Sequence, residues 1–274
     1  MTSLNANPVF SGSVAQLYEQ YLVPLIFEPY ARDMTRRVSL LKPTAVLEIA
    51  AGTGVVTRHL AAQLPADTSI VATDLNQPML DHAISIGTTR SVTWRPADAM
   101  SLPFADGSFD AVVCQFGAMF FPDKAAAFAE ARRVLRPGGT FLFNVWDRIE
   151  DNEFADCVTH ALAGLFPTDP LRFLARLPHG YFDQKVIAGD LFRGGFTGIN
   201  AFDTVTTPSR AESARIVAIA YCQGTPLRNE IEARGTSILG EATDVATAAL
   251  SQRFGQRQVC GKIQACVIAA TRNA

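Results

Sequence analysis

A chain of 274 residues, 48% hydrophobic and 18% charged, is long and apolar enough to bury a sizeable core. Its formal net charge of −2 excludes a global electrostatic attraction to nucleic acid or to an anionic membrane surface. The five cysteines, Cys114, Cys157, Cys222, Cys260 and Cys266, form neither a CxxC pair nor a zinc spacing, which predicts reduced thiols in a soluble, cytoplasmic protein.

In chain order, residues 1–11 are polar and predict a frayed end without a signal peptide. From Val14 to Leu41 apolar residues recur at helical spacing, interrupted by Pro24 and Pro29, which predicts two short helices joined by a kinked segment. A strand–helix rhythm follows. "TAVLEI" (44–49) reads as a buried strand and Val55–Leu64 as its helix; "SIVATD" (69–74) is a second strand, with a helix from Pro78 to about Ile86. "SVTWRPAD" (91–98) is a shorter, more exposed third strand. The chain turns at Asp106-Gly107 into a fourth strand, Phe109–Cys114. A helix carrying Phe128, Ala131, Val134 and Leu135 ends at "RPGG" (136–139), and "TFLFNVW" (140–146) is a fifth strand.

Short connections between alternating strands and helices predict an α/β fold, an open parallel sheet with helices on both faces. After Trp146 the rhythm loosens, with helices over about 151–166 and 183–193 and strand character at 198–207. A long helical stretch from Ser209 to roughly Phe254 is a candidate lid, and "CGKIQACVIAAT" (260–271) closes as an apolar strand. No repeat, low-complexity linker or apolar run of membrane-spanning length interrupts the chain. One domain over 1–274 is predicted, with amino-terminal helices (1–43), a core (44–146) and a substrate-side region (147–274).

In such a sheet, ligands bind beyond the carboxyl ends of the strands, near the point where strand order reverses. There the sequence places Glu48, Asp74, Asp98 and Gln115, one after each of the first four strands. Each alone has a plain structural explanation, such as a helix cap, a turn or an answered backbone donor. All four on one edge, beside Gly52 and Gly54, point to a ligand site. The glycines leave room for close backbone approach, but no Gly-Lys-Ser/Thr follows for a phosphate loop. A dinucleotide fingerprint would need glycine where Thr57 stands, although Asp74 lies 20 residues beyond Gly54, as a ribose-binding acid should.

The stretches "LEIAAGTG", "TDLNQPML", "ADAMSLPFADGSFDAVVCQFGAMFF" and "VLRPGGTFLFNVW", in this order, resemble the class I S-adenosylmethionine-dependent methyltransferases. The subgroup that includes the ubiquinone/menaquinone-biosynthesis type is the nearest likeness, over roughly 44–146. The resemblance implies a Rossmann-like, doubly wound sheet, mostly parallel with an antiparallel carboxy-terminal strand, amino-terminal helices and a helical lid insertion. It also implies S-adenosylmethionine as cofactor and S-adenosylhomocysteine as product. Carried over by position, the pattern E-x-G-x-G-x-G falls on Glu48, Ala50, Gly52 and Gly54, with Ala50 replacing the first glycine. That turn survives alanine provided the residue does not require a positive φ. Asp74 would accept hydrogen bonds from both ribose hydroxyls, Leu75 and Met79 would flank the adenine, and Asp98 with the Ala99 amide would meet its exocyclic amine. Met79 reads equally well as helix core. Gln115 and Phe116 would lie along the cofactor and at the substrate mouth, and Tyr21 would reach the cofactor carboxylate from the amino-terminal helices.

For the acceptor, Phe116, Met119, Phe120 and Trp146 suggest an apolar pocket wall, with His179 counted beside them, and hence a small hydrophobic organic molecule. "QFGAMFF" stands where amine and adenine methyltransferases often carry Asn/Asp-Pro-Pro-aromatic, which argues against nucleic acid as a partner. Methyl transfer from a sulfonium needs alignment and water exclusion before it needs a base, so the absence of a catalytic motif does not count against it. His59, His82 and His160 read as surface or packing residues, Asp110 and Arg136 as fold residues, and Cys157 with Cys222 lacks a familiar metalloid-handling spacing. No metal is implied. Two other readings are weighed: a nicotinamide-dependent oxidoreductase, disfavoured by Thr57 and by the lack of a Tyr-x-x-x-Lys pair, and a non-catalytic binding protein on the same fold.

Overall fold

A computed structural model of the chain describes residues 12–235 and 237–273. The chain divides into two compact units. One comprises the residues up to Glu28, Trp146–Gly180 and Thr206–Ala265; the other comprises Pro29–Val145, Tyr181–Val205 and the residues from Cys266 onward.

The second unit carries the sheet. Its strands are β1 (Ala45–Glu48), β2 (Ser69–Asp74), β3 (Thr93–Pro96), β4 (Phe109–Gln115), β5 (Leu135–Trp146), β6 (Gly198–Ser213) and β7 (Arg257–Thr271), in the spatial order β3-β2-β1-β4-β5-β7-β6. The last two strands extend into the first unit. β1 pairs in parallel with β2 on one side and β4 on the other, so that Leu47 lies between Val71 and Val112. The chain steps outward from β1 to β2 and β3, then returns past β1 to β4. The reversal of strand order therefore falls between β1 and β4, as the ligand-site argument requires. β4 and β5 are also parallel, whereas β7 runs antiparallel; the backbone bonds Gly138 N–Arg272 O and Arg272 N–Gly139 O join it to β5.

The helices of this unit include α3 (Val55–Gln63), α4 (Gln77–Ile86), α5 (Lys124–Val134) and α8 (Gln184–Arg193). Phe128 of α5 packs on Phe141 and Phe143 of β5, with ring centroids 5.5 and 5.2 Å apart, and Phe196 stacks on Phe141. These rings are fully buried. Burial of that size is the main favourable term holding α5 on the sheet, at about 2 kcal/mol for each large side chain. Gly194, just past α8, allows that helix end to close on α5, where a Cβ would lie 2.7 Å from the Phe128 Cβ.

The first unit is built on α6 (Glu153–Leu165), α9 (Ala214–Gln223) and α11 (Ile238–Phe254). Phe154 of α6 meets Phe254 edge-on at 4.9 Å. Asn152, 1% exposed, exchanges hydrogen bonds with the backbone of Gln264 in both directions, so a side chain completes the ladder where the strand leaves its partner.

Two sequence expectations are refined. The kinked segment expected around Pro24 is a π-helical stretch, Tyr18–Phe27, joining α1 (Gly12–Leu17) to α2 (Glu28–Leu41). A wider turn absorbs the missing proline N–H that would interrupt an α-helix. The stretch from Ser209 to Phe254 is not one helix: β6 runs on to Ser213, and α9, α10 (Leu227–Glu232) and α11 follow, separated at Gly224 and Gly235. Among the described residues no helix is long and apolar enough to cross a membrane.

Asp110 illustrates how polar residues pin the sheet. Its Oδ2 accepts from the amides of Thr44 and Ala45, at 2.8 and 2.9 Å, and its Oδ1 pairs with Arg136 at 2.6 Å. Burial raises its pKa, but the hydrogen bonds from Thr44, Arg136 and Ala45 outweigh that and hold it at about 2. A depressed carboxylate adds stability above its unfolded pKa and loses it as pH falls through the folded one. Asp110→Asn should therefore cost about 1–2 kcal/mol at pH 7. That deficit should vanish between about pH 4 and 2, as read by urea unfolding across that window.

Candidate cofactor site

The turn between β1 and α3 is held by its neighbours on both sides. The amide of Ile49 donates to Val113 O of β4 and the amide of Ala51 to Thr73 O of β2, both at 2.9 Å. The Gly52 amide donates to Asp74 Oδ2 at 2.8 Å. Ala50, Gly52 and Gly54 all have positive φ, at 54°, 57° and 82°. The condition on Ala50 is therefore not met: it sits in the left-handed region, at a cost of about 1–2 kcal/mol for a residue with a Cβ. Gly54 has a packing reason as well: a Cβ there would lie 2.8 Å from the Trp94 ring and 3.2 Å from Ala83, so this glycine makes room for β3 and α4.

The two acids nearest the turn are buried, Glu48 at 1% and Asp74 at 6% exposure. Asp74 Oδ1 accepts from the Asn76 amide at 2.8 Å and from its side chain at 3.3 Å. Burial raises its pKa, opposed chiefly by the amides of Asn76 and Gly52. Glu48 receives the Thr57 hydroxyl at 2.5 Å, which ties the end of β1 to the first turn of α3. Burial pushes its carboxyl up to about 8 against the Thr57 hydroxyl and the charge of Arg58. Thr57, at the position where a dinucleotide fingerprint has glycine, thus has a structural partner of its own. Asp98 accepts the Met100 amide on Oδ1 at 2.8 Å and is half-buried, as is Ala99. Leu75 is 49% exposed at the end of β2, whereas Met79 is buried in α4.

Beyond β4, Gln115 is half-buried and Phe116 takes φ 52°. The Phe116 amide is held by both Asn144 O, at 3.2 Å, and Asn144 Oδ1, at 2.9 Å. The Phe116 ring meets Tyr30 edge-on at 5.2 Å, and Met119 and Phe120 follow in a short 3₁₀ turn, Ala118–Phe120. Glu48, Ala50, Gly52, Gly54, Asp74, Leu75, Met79, Asp98, Ala99, Gln115, Phe116, Met119 and Phe120 all belong to the second unit. Sequence reasoning passed over Asn76 and Asn144, which orient two of these residues; Asn76 had a readable signal as an Asx residue just before a helix.

Tyr21, Trp146 and His179 belong to the first unit. Tyr21 lies in the π-helical stretch and is half-exposed. Trp146 and His179 are each 5% exposed, with rings 5.9 Å apart, and Trp146 also meets Phe27 at 6.1 Å. His179 Nδ1 lies 2.8 Å from Asp147 O; a carbonyl only accepts, so Nδ1 carries the hydrogen and Nε2 the lone pair. Burial lowers its pKa to about 4 against that bond, so the ring is neutral at pH 7. His160 is a surface residue bonded to Asp156 O. Among the described residues no group of acids, histidines and cysteines is placed to hold a metal.

The Glu48 carboxyl generates a measurable pH dependence. Its folded pKa lies above the ordinary glutamate value of 4.5, so its stabilising proton is fully present below that value and is lost as pH rises through about 8. Wild-type stability should fall across this range, and Glu48→Gln should flatten the fall when urea unfolding is followed from pH 5 to 9. An unchanged slope in the variant would show that Glu48 is ionised throughout.

Residues 47–143 match a family described as a methyltransferase domain. A ubiquinone/menaquinone biosynthesis C-methyltransferase, UbiE, of Saccharophagus degradans is 28% identical over 203 residues, covering 69% of this chain and 77% of the relative. Among solved structures, phosphoethanolamine N-methyltransferase 2 of Haemonchus contortus, in complex with phosphomonomethylethanolamine and S-adenosylhomocysteine, has a TM-score of 0.60 at 17% identity, over 97% of this chain and 59% of that one. The [4+2]-cyclase SpnF has a TM-score of 0.57 at 18% identity, over 90% of this chain and 81% of its own. At such identities the two structures speak to fold alone, and a cyclase among them illustrates why. Sheet order, motif positions and the family match agree on an S-adenosylmethionine-dependent methyltransferase domain over residues 47–143, in a chain similar to the ubiquinone/menaquinone-biosynthesis type.

Proposed function

We propose that this enzyme moves the methyl group of S-adenosylmethionine onto a small, hydrophobic organic acceptor by in-line displacement, leaving S-adenosylhomocysteine. The observation that carries the cofactor placement is the Asp74 carboxylate at the carboxyl end of β2, pinned by the Gly52 amide beside the point where strand order reverses. The residues present fit a nucleoside. Asp74 Oδ2 accepts one amide and keeps a lone pair for a ribose hydroxyl. Asp98 has one oxygen committed to Met100 and the other open to an adenine amine. Leu75 offers exposed apolar surface beside them.

The bound cofactor supplies a methyl group activated by a sulfonium, and the electrons of the broken bond remain with sulfur. The chain's part is to hold the nucleoside by Asp74 and Asp98, to set the turn carrying Ala50 and Gly52, and to exclude water. Phe116, Met119 and Phe120, in the turn after β4, support an apolar acceptor, because they present no hydrogen-bonding side chain. The named activity of the curated relative, C-methylation in quinone biosynthesis, supports carbon as the methylated atom. A positioned acceptor gains rate from alignment alone, so the reading needs no dedicated base.

Calorimetric titration with S-adenosylhomocysteine, S-adenosylmethionine and NADPH, repeated on Asp74→Ala, tests the site. The expected result is saturable binding of the first two, weakened about 10- to 100-fold by the substitution, as for loss of hydrogen bonds to a charged group. Binding of NADPH alone would overturn the reading. Equal S-adenosylhomocysteine affinity in both proteins would remove Asp74 from the site.

A further inference from the structure

The turns that leave β1 and β4, the two strands at the reversal, each contain a non-glycine residue in the left-handed region, Ala50 and Phe116. Gly117 follows Phe116 with φ −98°, a conformation any residue adopts, so its backbone gives no reason for glycine. Its surroundings do. A Cβ on Gly117 would lie 2.5 Å from the Ala50 Cβ and 2.8 Å from Cys114 Sγ. Neither neighbour can swing away: Ala50 has no rotatable side chain, and Cys114 lies within β4 with no exposed surface. The methyl group that Ala50 carries in place of the family's first glycine therefore fills the space that a side chain at position 117 would need.

The turn at Phe116-Gly117 is closed on its other sides as well. Asn144 holds the Phe116 amide, and Tyr30, whose hydroxyl donates to Val205 O at 3.1 Å, meets the Phe116 ring. With those contacts fixed, a side chain at position 117 presses on both Cys114 Sγ and Ala50, and Ala50, two residues before Gly52, is the neighbour that carries the displacement into the glycine turn. We propose that Ala50 and Gly117 are a size-matched pair that sets the glycine turn, so that Gly117, although outside that turn and remote in sequence, is a positioning residue for the cofactor. The proposal rests on the cofactor placement given above. It explains how alanine is tolerated at a left-handed position: its strain is accepted where its methyl packs against a residue without a side chain.

The test is a double-mutant cycle with two readouts, S-adenosylhomocysteine affinity by calorimetry and the thermal midpoint of the unliganded protein. Gly117→Ala should weaken S-adenosylhomocysteine binding by at least about fivefold, and Ala50→Gly combined with Gly117→Ala should recover part of that loss, the contact with Cys114 Sγ remaining. Ala50→Gly alone should keep or raise the midpoint, since glycine adopts φ 54° without strain. If Gly117→Ala fails to fold, the comparison is made in a Cys114→Ala background, which removes the other close contact; recovery of a folded, S-adenosylhomocysteine-binding protein by the added Ala50→Gly is then the decisive result, and its absence overturns the proposal. A lowered midpoint with unchanged affinity would make the contact purely structural and overturn it too. If wild type does not bind S-adenosylhomocysteine, the cofactor reading falls and the pairing stands or falls on rescue of the midpoint.

Discussion

The hydrogen bond from the Gly52 amide to Asp74 Oδ2 joins the turn after β1 to the carboxyl end of β2, and the arrangement of the site depends on it. A turn with three left-handed residues has no regular ladder to define it, so its shape must come from partners outside. β2 supplies Thr73 O and the Asp74 carboxylate, and β4 supplies Val113 O. Parallel pairing of β1 with both strands brings these partners level with the turn. The same carboxylate that answers a backbone donor is then left at the sheet edge, where a ribose would meet it.

The two buried acids at this edge differ in what surrounds them. Both are pushed toward the neutral form by burial. At Glu48 the Thr57 hydroxyl and the charge of Arg58 oppose that push without overcoming it, and the group sits inside the protein where it links β1 to α3. At Asp74 backbone amides from both flanking turns oppose it, and amides favour the carboxylate because they can only donate. Glu48 is thus suited to holding the turn from within, and Asp74 to meeting a ligand.

Much of this was legible in local sequence. Strands β1, β2 and β4 announce themselves as apolar runs bounded by turn residues, and their polar terminal residues mark the carboxyl edge. The misreadings have a common cause. Pro24 predicted a kinked join between helices, but its π-helical form was not legible, because the helical pattern carries no sign that a wider turn can bypass the missing donor. Ser209 to Phe254 looked like one helix because apolar spacing alone does not reveal where a long edge strand stops or where Gly224 and Gly235 divide helices. The packing role of Gly54 was not legible because its neighbour Trp94, 40 positions away, is brought against it only by the pairing of β3 with β2.

The sequence by itself determined the alternation of strands and helices, the row of acids at the strand ends and the glycine spacing between the first strand and its helix. Those features are set by residues a few positions apart, where periodicity and turn chemistry act. Tertiary structure alone decided that Ala50 would be left-handed, that Gly117 would make way for its methyl, that burial would push the Glu48 carboxyl up and that Asn144 would hold Phe116. Each of these depends on packing, burial or hydrogen bonding between segments far apart in the chain, and such proximity exists only once the sheet has assembled.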